Sequence, residues 1–189
     1  LENVLFVEDP LQREHYHPRI EGFRTFVFER LNADERKAYE RLHHVFYYER
    51  HNDFWRASAM EKLPALSNAT AMLPCGEDLG MVPDCVPGVM EQLQLLTLEI
   101  ERMPKAFGRE FADVEAYPRR SVCSTGTHDM PTLRGWWAED AARSARYFFE
   151  VLGHGGEAPA DAPAWLCEEI VRRHVDCPSM LCILPWQDW

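Results

Sequence analysis

Two apolar segments that each run into an acidic group constrain this chain more than any other feature. MLPCGED (residues 72–78) ends in Glu77 and Asp78, and SVCSTGTHD (residues 121–129) ends in His128 and Asp129. Each reads as a buried strand that ends in these groups. If the two strands are parallel members of one sheet, those ends converge at one mouth. Carboxylates gathered there suit acid/base chemistry.

The order of elements supports the parallel reading. From residue 71 the chain reads strand (MLPCGED), helix (PGVMEQL, with Pro87 near its first turn), strand (LLTLEIE), connection, and strand (SVCST). A helical stretch from 131 to about 150 follows, then a loop (GHGGEAPADAP), an amphipathic helix (AWLCEEIVRRHV) and a last strand (MLCILPW). Strands that alternate with helices predict an α/β fold with a parallel sheet. Four strands make half of an eight-stranded barrel, so the expected fold is a partial (β/α)8 TIM barrel, about its C-terminal half, spanning 64–189. Residues 1–63 read as a mainly helical segment ahead of it. NVLFVE is a short strand and DPLQREHYHPRIEGF is loop. Asn32 with Glu35 three residues on predicts a capping box, and the helix from Ala33 runs to about Leu63, with a break near Asn52 and its end at Pro64. A half-barrel has raw sheet edges, and the chain does not start with Met. The expectation is therefore a piece of a larger catalytic domain whose open edges drive self-association.

Composition excludes several partners. A net charge of −11 argues against nucleic acid and anionic membranes, which need a basic face. No apolar run reaches the roughly 18 residues of a membrane span, and LENVLFVEDP lacks the marks of a signal peptide. The 6 cysteines form no C-x-x-C pair and several lie in apolar runs, so reduced thiols in a cytoplasmic protein are expected. His15, His17, His43 and His44 do not have ligand spacing on one helical face, so no metal is expected. No nucleotide motif is present, and no cofactor is expected.

At these motifs the chain resembles the 4-alpha-glucanotransferases, the amylomaltases or disproportionating enzymes of glycoside hydrolase family 77. GEDLG (76–80), TLEIERMPK (97–105), SVCSTGTHD (121–129), LRGWW (133–137) and LPWQD (184–188) carry the resemblance, in the family's order. FVEDP and YHPRI resemble the form with a long insertion between the fourth and fifth barrel strands. The resemblance implies a retaining enzyme that cleaves alpha-1,4-glucosidic bonds of maltose or maltodextrins. The glucosyl unit would be held covalently and passed to the 4-hydroxyl of another sugar. It implies Glu77 as general acid/base, Asp129 as the carboxylate that grips sugar hydroxyls and favours the oxocarbenium-like transition state, and His128 as a hydrogen-bonding partner of the same sugar. Asp78 joins the substrate-binding set, with orientation of its neighbours as its main task.

The family's nucleophile, an Asp in an R-x-D-H motif, has no counterpart here. RIEGFR (19–24) is a chance look-alike with the wrong neighbours. The nucleophile is therefore expected upstream, and the isolated chain is expected to be inactive, because a retaining site needs both carboxyls about 5 Å apart. Trp136 is the candidate sugar-stacking residue of the Trp136–Trp137 pair. Neighbours on a helix diverge, so at most one faces the site, and core packing is the favoured role for both. Asp129 also reads as a helix N-cap ahead of Pro131. Two alternatives stay open: an alpha-amylase-type hydrolase with water as acceptor, and a non-catalytic carbohydrate-binding or structural fragment.

Overall fold

Short stretches of apolar sequence need side chains to finish what the backbone leaves unpaired. The computed structural model describes residues 3–188 and shows this from its first turn. β1 (Phe6–Glu8) pairs antiparallel with β2 (Tyr16–Pro18). The sequence reading leaves Tyr16–Pro18 as loop. It becomes a strand because Asp9 ties the turn: one carboxylate oxygen accepts from the Leu11 and Gln12 amides, and the other lies 2.7 Å from His17 Nε2. Pro18 lacks an N–H, a loss that an edge strand tolerates.

Two compact units form. The first runs to Leu66 and includes Pro83–Val89. After α1 (Phe26–Glu29), α2 (Ala33–His44) starts at the predicted capping box: Asn32 accepts from the Asp34 and Glu35 amides, and the Glu35 carboxylate accepts from the Asn32 amide at 2.9 Å. A π-turn over Val45–Arg50 leads into α3 (His51–Asn68), so the predicted irregularity falls just before Asn52. Pro64 does not end this helix, contrary to expectation. It removes one intrahelical donor, and the turns on either side carry the helix four residues further. Tyr39 anchors the unit: its ring meets those of Phe6, Phe23 and Phe28, and its hydroxyl donates to the Leu5 and Arg19 carbonyls. A Cβ on Gly22 would lie 1.8 Å from that hydroxyl, so only glycine fits there.

The second unit comprises Ser67–Val82 and residues from Met90 onward. α4 (Val86–Leu93) precedes β3 (Thr97–Ile100), which pairs in parallel with β4 (Ser121–Ser124). α5 (Leu133–Glu139), α6 (Ala141–Arg146) and α7 (Ala164–Asp176) follow, and β5 (Leu181–Cys182) pairs in parallel with β4. On its other edge β3 is extended by one parallel bridge, Cys75 to Leu96. The fold is mixed α/β with a small parallel sheet. A 3₁₀ turn, Val114–Ala116, lies in the β3–β4 connection.

Two predicted strands are shorter than expected. MLPCGED contributes only the Cys75 bridge. The Leu96 amide donates to the Pro74 carbonyl and the Gly76 amide to the Leu96 carbonyl. The next rung of a parallel ladder would take the Leu98 amide, but Asp78 Oδ1 accepts it at 2.9 Å and ends the strand. MLCILPW narrows to Leu181–Cys182 before Pro185 turns the chain into a 3₁₀ turn, Trp186–Asp188. The stretch from 131 to 150 also divides. Asp140 ends α5 in an extended conformation and caps α6 through the Ala142 and Arg143 amides.

Every residue of β4 is buried. Beside it α5, the π-turn Tyr147–Val151 and α7 close a core around Trp136, Trp137, Tyr147, Leu166 and Ile170. Trp137 is 1% exposed, and its indole N–H donates to the Pro159 carbonyl at 2.8 Å. Buried Glu101 accepts from the Tyr147 hydroxyl at 2.5 Å and pairs with Arg173 at 3.4 Å. The cysteines are free thiols. Among the described residues no helix is long and apolar enough to cross a membrane, and no group of three or more potential ligands is placed to hold a metal.

Replacing Trp137 with Ala removes a fully packed indole and is expected to cost about 3–5 kcal/mol. Urea unfolding followed by far-ultraviolet circular dichroism measures this, and a loss below about 1 kcal/mol would contradict the packing described. A second expectation concerns His174, held below its ordinary value of 6.5 by burial, with the Glu101 carboxylate opposing. The unfolded chain therefore takes up this proton first as the pH falls, so stability drops on acidification below about 6.5. His174→Gln should flatten that slope by up to one proton. Unchanged pH dependence of the unfolding midpoint would refute it.

Candidate active site

The carboxyl end of the small sheet collects the predicted groups. Glu77 follows the Cys75 bridge by two residues and is exposed. His128 and Asp129 lie on the loop that leaves β4, with side chains 82% and 78% exposed and His128 Nε2 3.3 Å from Asp129 Oδ1. The Asp129 amide donates to Thr127 Oγ1 at 3.3 Å. β3 lies between the Cys75 bridge and β4, so Glu77 and the His128–Asp129 pair leave the sheet from strands on opposite sides of β3. They share an end of the sheet without touching.

Asp78 is committed to its neighbours. Beyond the Leu98 amide, its second oxygen receives the Lys105 ammonium at 2.8 Å. Lys105 also reaches Glu99 Oε1 at 2.8 Å, and that oxygen accepts from Thr97 Oγ1 as well. One lysine thus joins the segment after Cys75 to the end of β3. The Cys75 thiol beside this cluster is pushed up by desolvation and by the Asp78 carboxylate, with the Lys105 ammonium opposing.

A cavity of about 390 Å³ opens beside the β4 loop, lined by Ser124, Gly126, Thr127, His128, Pro185 and Asp188 among others. Among the described residues, His128 is the predicted site group that lines it. A different cavity, about 410 Å³, lies by the end of α7 against Arg172, Arg173 and Cys177, and none of the strand-end carboxylates lines it.

Two readings of the sequence are corrected here. Trp136 is 5% exposed and belongs to the core; its ring carries the guanidinium groups of Arg102 and Arg143 and meets Phe111 and Tyr147 at their edges. It offers no open face for a sugar. Asp129 is not the cap of α5, because the helix begins at Leu133 and Thr132 Oγ1 accepts from the Gly135 amide at 3.2 Å.

Three supporting residues escape the sequence reading: Lys105, Arg102 and Asp188. Arg102 Nε donates to the Thr125 carbonyl at 2.7 Å and Nη1 to the Pro131 carbonyl at 3.1 Å. Asp188 is 2% exposed and accepts from Thr125 Oγ1 at 2.6 Å and from the Leu133 amide at 2.8 Å. The available signal was a charged residue directly after an apolar strand, as in TLEIERMPK and LPWQD.

Residues 16–189 match the sequence profile of glycoside hydrolase family 77, 4-alpha-glucanotransferase. The chain is 38% identical over 188 residues to the 4-alpha-glucanotransferase DPE2 of Oryza sativa subsp. japonica, covering all of this chain and 20% of that protein. It is 39% identical over 93 residues to a 4-alpha-glucanotransferase of Chlamydia muridarum, covering 48% of this chain and 18% of that one. The chain therefore spans about a fifth of the length of these relatives. Among solved structures, the amylomaltase from Streptococcus agalactiae in complex with acarbose shares the fold. Its TM-score is 0.51 at 19% identity, over 68% of this chain and 26% of that one. By its profile match and its end-to-end similarity to the rice protein, this chain belongs to the glycoside hydrolase family 77 4-alpha-glucanotransferases.

Proposed function

We propose that the protein to which this chain belongs is a retaining 4-alpha-glucanotransferase acting on maltose or maltodextrins. In this reading the parallel strands described above are part of a (β/α)8 barrel. The observation that carries the proposal is the shared placement of Glu77 and of His128–Asp129 at the carboxyl end of one parallel sheet, where barrel enzymes hold their reacting groups. Family membership supports the choice of reaction.

Each group has one task. Glu77 protonates the leaving glycosidic oxygen, then takes the proton from the 4-hydroxyl of the acceptor sugar as it attacks. Between these steps the glucosyl unit is esterified to a carboxylate nucleophile supplied from outside these 189 residues. Asp129 and His128 hold the sugar's hydroxyls as positive charge develops on the ring. Asp78 keeps Glu77 in place through Leu98 and Lys105. A carboxyl with both oxygens engaged suits such holding, while a general acid needs an oxygen free to meet the substrate.

The proposal extends to the isolated chain and to the cell. Without a nucleophile the isolated chain is inactive, and it self-associates through the open edges of its sheet. The free thiols support a cytoplasmic location, which cell fractionation checks.

Incubation with maltotriose, with products separated by length, tests the proposal. The full-length protein is expected to give a ladder of longer glucans, and the isolated chain is expected to give none and to elute as an oligomer. Glucose and maltose with no glucan longer than the substrate would make the protein a hydrolase, and transfer by the isolated chain would place the nucleophile within it. Glu77→Gln in the full-length protein is expected to lower kcat by about 10²–10⁴-fold. A loss of less than about tenfold would remove Glu77 from the acid/base role.

A further inference from the structure

We propose that Asp188 is a positioning residue for glucosyl transfer: its carboxylate clamps both ends of the loop that carries His128 and Asp129. The proposal rests on the transferase reading above and gives a role to a residue that reading leaves idle.

The loop leaves β4 at Thr125 and enters α5 at Leu133. Asp188 Oδ2 accepts from the Thr125 hydroxyl and Oδ1 from the Leu133 amide, so one planar group fixes the distance between the loop's two ends. Thr125 is 1% exposed and Asp188 2%, so water does not compete for these bonds. Arg102 makes the same span with opposite charge, holding the Thr125 and Pro131 carbonyls. Its guanidinium rests over the Trp136 ring, 5.3 Å from the centroid, which fixes it from behind. A Cβ on Gly126 would come within 2.4 Å of Arg102 Nη2, so the loop lies directly against the guanidinium. Burial pulls Arg102 down from its ordinary value, and the charge of Asp188 pushes back. The loop is therefore anchored at both ends by a buried anion and a half-buried cation, while His128 and Asp129 between them stay exposed. Misplacing such groups by about 1 Å can cost on the order of 100-fold in rate.

The test uses the full-length protein with Asp188→Ala, Asp188→Asn, Thr125→Val and Asp129→Ala. With maltotriose, Asp188→Ala is expected to lower kcat about 10–100-fold while KM stays within about threefold. Asp188→Asn recovers most of this, because its carbonyl still accepts from Leu133 and its amide can donate to the Thr125 hydroxyl. Added to Asp129→Ala, Asp188→Ala costs less than it does alone, since one of the two groups it positions is already gone and only His128 remains to be misplaced. Hydrogen exchange of the amides at 126–130 is expected to accelerate at least about tenfold in Asp188→Ala, with other amides little changed. If Asp188→Ala fails to fold, Thr125→Val, which loses one of the two bonds, is expected to give a loss of about 3–10-fold with the same local exchange signature. An unchanged kcat, a full additional loss in the Asp129→Ala background, or exchange that rises uniformly would each overturn the proposal. If the wild-type protein transfers nothing, the transferase reading fails by itself. Exchange then decides the clamp: acceleration confined to 126–130 supports it and any other pattern rejects it.

Discussion

At the carboxyl end of the short parallel sheet, backbone donors and acceptors run out of ladder partners, and charged side chains take them up. A buried amide or carbonyl left unpaired costs on the order of 1–3 kcal/mol, so every strand end needs a substitute partner. Asp78 takes the Leu98 amide where the Cys75 bridge stops, Arg102 takes the Thr125 carbonyl after β4, and Asp188 takes the Leu133 amide where α5 begins. The same residues thereby set where the exposed groups of the site can stand. Stability and site geometry come from one set of bonds at this end of the sheet.

That dependence explains what was legible in the sequence. The parallel sheet, the alternation of strand and helix and the capping box at Asn32 follow from local chemistry and periodicity, and all are present. Strand lengths were not legible. An apolar run says that a segment is buried, but whether its next rung goes to a backbone carbonyl or to Asp78 depends on a residue that pattern reading assigns to the loop. Pro64 misleads for a related reason: losing one donor near the end of a long helix costs less than ending it there. Tyr16–Pro18 was missed because its pairing depends on Asp9, seven residues upstream of Tyr16.

The candidate site's position in the fold was legible in part. Sequence located Glu77, Asp78, His128 and Asp129 at strand ends, because a polar residue after an apolar strand is a local signal. It did not separate exposed carboxylates from those consumed by structure. Trp136 shows the converse limit: an aromatic pair on a helix favours core without excluding a sugar platform, and burial with two arginines on the ring decides for core.

Burying charge is costly unless it is paired, and the second unit buries two carboxylates, Glu101 and Asp188, and half-buries a third, Asp78, with different outcomes. Glu101 has 0% exposure and is met by Tyr147 and Arg173, behind the strand end and in contact with the core. Its replacement should disturb folding more than sugar handling. Asp78 and Asp188 face the loops instead, each bridging a backbone amide and a side-chain donor from a different segment. An anion that joins two segments fixes a distance, which a hydrophobic contact of the same area does not do. This gives a physical reason to keep charge at these positions although apolar packing could match it in stability. The segments so fixed are the ones that carry Glu77 on one side of β3 and Asp129 on the other.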